Sequence, residues 1–244
     1  MPKLAIQLLS LLLATPGCDK PSASPPSNPT TSPTTFGSVH GKVTLSNYKL
    51  PPPAPNLVNC GNHQVAITDQ TVLLNRDGTL RNVIIYLKNA PPAPTTATPA
   101  PALLDQVNCN YQPHVLVIRT NQAVRFKSSD DTMHNVHTTC EFNKPVNFAT
   151  MRANDSRDIT FDSPEIFRVK CDVHPWMSAW IAVLPHSYYS LTADAGTFEI
   201  KNSPTGNQTL IAWHERFGEL EQTVNITADK ATEIIFNFKP PEEK

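Results

Sequence analysis

Apolar residues recur along most of the chain in short runs, and no run sustains the 3.6-residue period of a helix. The runs at 39–45, 71–75, 80–87, 115–119, 123–127 and 135–138 read as strands, as do those at 158–161, 166–170, 179–184, 196–200, 209–214, 220–226 and 232–238. They are rich in β-branched and aromatic side chains and are punctuated by Gly, Pro, Asn and Asp, the residues that end strands and build turns. Asp77-Gly78 between two apolar runs is a hairpin signal. The pattern therefore predicts an all-β protein, with too many strands for one small barrel, and 244 residues leave room for two bodies.

Two stretches interrupt the pattern. Residues 19–36 are mostly Pro, Ser, Thr, Asn and Lys, with nothing to bury, and read as an extended tether reaching about 50 Å. A second Pro-rich stretch, 90–101, separates two folded segments. Ahead of the tether, Lys3 followed by the apolar run 4–14 reads as an export signal, too short to span a bilayer. Small residues lead to Cys18, so residues 1–18 are expected to be a signal and lipoprotein segment with Cys18 as the acylated residue. The expected location is exported, periplasmic or cell-envelope, with a lipid anchor as the only membrane attachment. A net charge of −1 and 17% charged residues lack the basic excess of a nucleic-acid binder.

The chemistry is concentrated in Phe167-Arg168-Val169-Lys170-Cys171-Asp172-Val173-His174-Pro175-Trp176-Met177. A strand here runs into a short loop carrying a thiol, an imidazole and a thioether at Cys-x-x-His-x-x-Met spacing. Two histidines and a cysteine in a plane, with a weak axial methionine, make a site that suits both Cu(I) and Cu(II). Asp131-Thr132-Met133-His134-Asn135-Val136-His137 lies upstream at the start of a predicted strand. Over 107–184 the sequence resembles the cupredoxins, amicyanin closely and plastocyanin less so, which share a His-Asn-Val-His segment followed by a Cys-x-x-His-Pro-x-Met loop. The resemblance implies a Greek-key barrel over 102–186 that holds one type 1 copper ion and carries electrons rather than catalysing a reaction. It assigns the metal to His134, Cys171, His174 and Met177. Residues three apart on a strand face opposite ways, so His134 and His137 cannot both reach one interior ion, and the resemblance selects His134. It also assigns to Asn135 the bond that ties its strand to the cysteine loop, here through Asp172 rather than the usual Ser or Thr.

With Cys171 on the metal, Cys60 and Cys109 are left as a possible disulfide and Cys140 is unassigned. A pairing of Cys171 with Cys140 stays open, as does a zinc site that adds Cys140 to His134, Cys171 and His174. His114, His214 and His63 read as structural. Residues 37–90 and 187–240, joined together, resemble carboxypeptidase-regulatory-like (transthyretin-like) β-sandwiches, in Gly41-Lys42-Val43-Thr44, the run 80–87, Leu191 to Ile200, Pro204-Thr205-Gly206 and Trp213-His214-Glu215. The barrel would then be an insertion in that sandwich. The expected function is an exported single-electron carrier between redox proteins of the cell envelope. A copper-binding or delivery protein, a catalytic copper site, and a metal-free module with disulfides are the alternatives.

Overall fold

The computed structural model describes residues 35–51, 56–91 and 99–240. Cys18, the expected signal, nearly all of the tether and residues 92–98 lie outside the described residues. What is described is all-β, as the short apolar runs predict. In chain order the strands are β1 (Phe36–Leu45), β2 (Asn56–Cys60), β3 (His63–Ile67), β4 (Ile84–Leu87), β5 (Ala102–Val107) and β6 (Asn110–Gln112). They continue with β7 (Val115–Arg119), β8 (Ala123–Ser128), β9 (His134–Thr138), β10 (Asn147–Thr150), β11 (Ser156–Thr160) and β12 (Glu165–Lys170). The last six are β13 (Ser178–Leu184), β14 (Tyr189–Leu191), β15 (Thr197–Pro204), β16 (Gly206–His214), β17 (Gly218–Ile226) and β18 (Ala231–Phe238). No helix among these residues is long and apolar enough to cross a membrane.

Two cores account for most of the buried apolar residues. One forms between a three-stranded sheet, β15-β1-β18, and a four-stranded sheet, β14-β4-β16-β17. Alternate residues of β1 and β18, such as Val39, Val43, Ile234, Phe236 and Phe238, point into it, so the period of two in the sequence becomes one dry and one wet face. The second core lies between a five-stranded sheet, β10-β9-β12-β13-β7, and a four-stranded sheet, β11-β8-β5-β6, around Phe126, Phe161, Phe167 and Ile181. Parallel pairs β5–β8 and β13–β7 show that the chain crosses between distant strands rather than meandering. The second body thus has two facing sheets with crossed-over connections, set in the chain between the strands of a small sandwich. Ile84, Val115 and Ala182 are buried together with Trp180 and Trp213 where the two bodies meet.

Several elements differ from the reading of the sequence. Residues 71–75 form no strand; only an isolated bridge joins Leu74 to Leu80, because the backbone closes a turn through Asn75 N–H to Thr79 O and Gly78 N–H to Asn75 O. Gly78 takes φ +80°, which favours glycine there, and Asp77 accepts from both the amide and the hydroxyl of Thr79. The run 80–87 is a strand only from Ile84 onward. Strands β2, β3, β5, β6, β10 and β14 carry no clear apolar alternation and were not expected. The β2–β3 hairpin packs Cys60 and Val65 into the second core, although it lies within the span 37–90 assigned to the sandwich.

Candidate metal centre

The central strand of the five-stranded sheet, β12, ends at Lys170 and hands the chain to the loop 171–177, which returns as β13. Two backbone bonds close this loop: Cys171 N–H to Met177 O, 3.2 Å, and Met177 N–H to His174 O, 2.9 Å. Strand β9 lies antiparallel beside β12 with Lys170 opposite His137 and Val169 opposite Thr138. Continuing that register sets His134 opposite the loop, so the first residue of β9 arrives beside His174.

The donor atoms converge. His134 Nδ1 and His174 Nδ1 stand 2.9 Å apart, and Cys171 Sγ is 3.8 Å from His174 Nδ1. The ligand atoms of His134, Cys171 and His174 all lie within 4.8 Å of one another. An ion bonding nitrogen at about 2.0 Å and thiolate sulfur at about 2.3 Å in a trigonal plane needs N···N near 3.5 Å and N···S near 3.8 Å. The three side chains therefore fit one ion with small adjustment of the imidazoles. Met177 is fully buried and shares a core with Cys171. His134 and Cys171 are buried as well, whereas His174 is half-buried.

Polar groups around these donors hold them. The amides of Asn135 and His174 both donate to Cys171 Sγ, at 3.5 and 3.4 Å, which favours negative charge on the sulfur. Asn135 and Asp172 bond reciprocally: the Asp172 amide donates to Asn135 Oδ1, 2.6 Å, and Asn135 Nδ2 donates to Asp172 Oδ2, 3.1 Å. The same carboxylate accepts from Asn147 at 3.2 Å, meets His137 Nδ1 at 2.7 Å and pairs with Lys170 at 3.0 Å. Lys170 and His137 hold its carboxyl well below the usual carboxylate range. His137 therefore lies on the opposite side of β9 from His134, bonded to a neighbour.

His134 uses its second nitrogen too. Nε2–H donates to Asp130 Oδ2 at 2.9 Å, leaving Nδ1 as the atom that faces His174 and Cys171. Burial pushes the His134 imidazole below its ordinary value, opposed by the Asp130 carboxylate; His174 is lowered by burial and by His134. Trp176 packs its ring against His174, 5.2 Å between centroids, and donates from Nε1 to Cys109 O at 3.0 Å. Asp130 carries no motif in the sequence that marks it as a partner of His134. Its place four residues before His134 was the one local hint, and nothing local pointed to the Trp176 bond.

Cys60 and Cys109 form a disulfide, and Cys140 and Cys171 are free thiols, so the Cys171–Cys140 pairing is absent. Cys140 belongs to neither of the clusters of metal-capable side chains among the described residues, which removes the four-ligand zinc arrangement. One of those clusters groups Asp130 and His134 with Cys60 and Cys109, whose sulfurs are spent on each other. Of the histidines read as structural, His114 is bonded to Glu215, and His214 is buried with Nδ1 accepting from the Arg216 amide.

No family model matches the chain, and no curated protein matches it. Among solved structures it is similar to a Cu-containing nitrite reductase from Thermus scotoductus SA-01, at 23% identity and a TM-score of 0.33 over 38% of this chain. The chain spans 25% of that reductase. It is similar to a purple cupredoxin from Nitrosopumilus maritimus at 19% identity and a TM-score of 0.30, covering 34% of this chain and 98% of that one. An oxidised amicyanin variant aligns at 18% identity and a TM-score of 0.32, over 36% of this chain and 86% of its own length.

Proposed function

We propose that the chain binds one copper ion, which His134 Nδ1, Cys171 Sγ and His174 Nδ1 would hold with Met177 as a further weak ligand, and passes single electrons to and from other proteins. The observation that carries this reading is the convergence of a thiol and two imidazole nitrogens within 4.8 Å, with two backbone amides already aimed at the sulfur. Copper bound to this set would supply a one-electron couple with little ligand rearrangement. The protein's part is to keep the ligands still and dry. Asn135 and Asp172 lock β9 to the loop, and Tyr111 and Gln106 donate to the Asn135 carbonyl at 2.7 and 3.4 Å from the core side.

Burial of His134, Cys171 and Met177 leaves His174 as the ligand that meets solvent, which favours electron exchange at that edge over binding of a substrate. On this reading the partners are redox proteins. Export, acylation at Cys18 and a tether over 19–36 would place the centre at the cell envelope within reach of them, and the strands outside the barrel would serve as its mount.

Addition of Cu(II) to the copper-free protein is expected to give an intense visible thiolate-to-copper band that Cys171→Ser abolishes. A colourless wild-type product would sink the reading. Azide should leave the band unmoved; a shifted spectrum would favour an open, catalytic site instead.

A further inference from the structure

The connection between β5 and β6 is a two-residue hairpin turn, Asn108-Cys109, closed by the Val107–Asn110 pair. Both turn residues take a left-handed backbone, φ 52° at each, the conformation such turns require and one that β-carbon-bearing residues seldom adopt. Glycine is the usual occupant of the second position; here it is Cys109, cross-linked to Cys60 at the tip of the β2–β3 hairpin. The conformation aims two successive amides at one carboxylate. Asn108 N–H donates to Asp130 Oδ1 at 2.7 Å and Cys109 N–H to Asp130 Oδ2 at 2.9 Å.

Asp130 Oδ2 is also the acceptor for His134 Nε2. The same cysteine contributes its carbonyl to Trp176, whose ring lies against His174. One disulfide-bonded residue is thus two contacts away from each histidine. Cys60 and Cys109 are wholly buried and Asp130 nearly so, and a buried carboxylate that lost its two amide donors would reorient to find others. That movement would release the Nε2–H tautomer of His134, which is the tautomer that leaves Nδ1 free for a metal.

We propose that the Cys60–Cys109 disulfide is a positioning element of the metal centre: it clamps the Asn108-Cys109 turn, whose amides aim Asp130 at His134 Nε2 and so present Nδ1 to the ion. Its last link rests on the copper reading above; the links from disulfide to His134 tautomer do not.

The test uses the full chain as wild type, Asp130→Asn, and Cys60→Ser with Cys109→Ser, the double change being needed because one leftover thiol would sit near His134. Nitrogen-15 NMR of the copper-free protein is expected to show the Nε2–H tautomer of His134 in wild type and a tautomer mixture in both variants. A chelator competition should show Cu(I) bound about 10–100-fold more weakly by each variant, as for other changes to groups that hold a ligand. Combining the changes should cost no more than Asp130→Asn alone, since they lie on one relay. Cys60→Ala with Cys109→Gly, where glycine tolerates the turn without a cross-link, should fall between wild type and Asp130→Asn, and it replaces the serine pair if that pair fails to fold. A wild-type tautomer and wild-type Cu(I) affinity in a folded disulfide-free variant would overturn the proposal, as would losses that simply add. Failure of the wild-type chain to bind copper would instead count against the metal reading, with the tautomer still deciding the relay.

Discussion

At the scale of single residues, the environments differ sharply among side chains of the same kind. Three histidines illustrate it: His134 is held between a carboxylate and the other donors, His137 sits on Asp172 at the surface, and His214 is sealed in the outer core. His214 stacks on Phe217, centroids 4.8 Å apart, and its Nε2 has no hydrogen-bond partner among the described residues. Burial pushes it down to about 4, against the pull of the Glu215 carboxylate in the opposite direction. An unfolded histidine titrates near 6.5, so between about pH 6.5 and 4 the unfolded chain binds more protons than the folded one. The contribution of neutral His214 is therefore complete above about pH 6.5 and is lost as the pH falls through 4, a change of about 3 kcal/mol. His214→Gln should flatten that part of the stability profile. Calorimetric Tm values for both proteins from pH 7 to 4 check this, and parallel declines would place the acid sensitivity elsewhere. Cys171, His174 and Met177 were legible as a group because seven consecutive residues in a tight loop cannot lie far apart. Asp130 was not, since its role depends on amides from a turn more than twenty residues away in the chain.

At the scale of elements, strands with one dry face were readable and strands at edges were not. β1 and β18 alternate cleanly because each covers a core on one side only. The β2–β3 hairpin is mostly exposed and β6 has only three residues, so neither leaves an apolar trace in the sequence. Glycine 41 shows what pairing adds to pattern. It lies in the middle of β1, where glycine normally weakens a strand, yet a β-carbon there would stand 1.8 Å from the Ile234 carbonyl of β18. Gly41→Ala should therefore cost about 2 kcal/mol or more, read as a lower urea midpoint with unchanged slope. A neutral result would mean that β1 and β18 can separate locally without loss. The centre itself is an element-level construction, since His134 reaches the loop only because β9 pairs with β12 in one register. A slip of one residue would bring Asn135 or Met133 into its place.

At the scale of the whole molecule, the two cores are joined by a polar knot inside an apolar contact. Glu215, one residue past β16, is bonded to His114 Nε2 before β7, their side chains 10% and 6% exposed. It also accepts from Trp180 Nε1 at 2.8 Å, and Trp180 packs edge-on to Trp213 across the junction. Glu215→Ala would leave His114 and the indole N–H without a buried acceptor, and is expected to cost about 2–6 kcal/mol for the two unsatisfied groups. It should also split a single calorimetric unfolding transition into two as the bodies uncouple; one undivided transition would show that the apolar contacts alone join them. The sequence by itself determined the all-β class, the period of two that makes each core, and the thiol–imidazole–thioether loop, because each depends on neighbours a few residues apart. Only the tertiary structure decided that His134 faces the loop, that Cys60 bonds Cys109, and that Asp130 holds His134. Those depend on strand register and chain crossings between segments tens of residues apart, which local pattern does not encode.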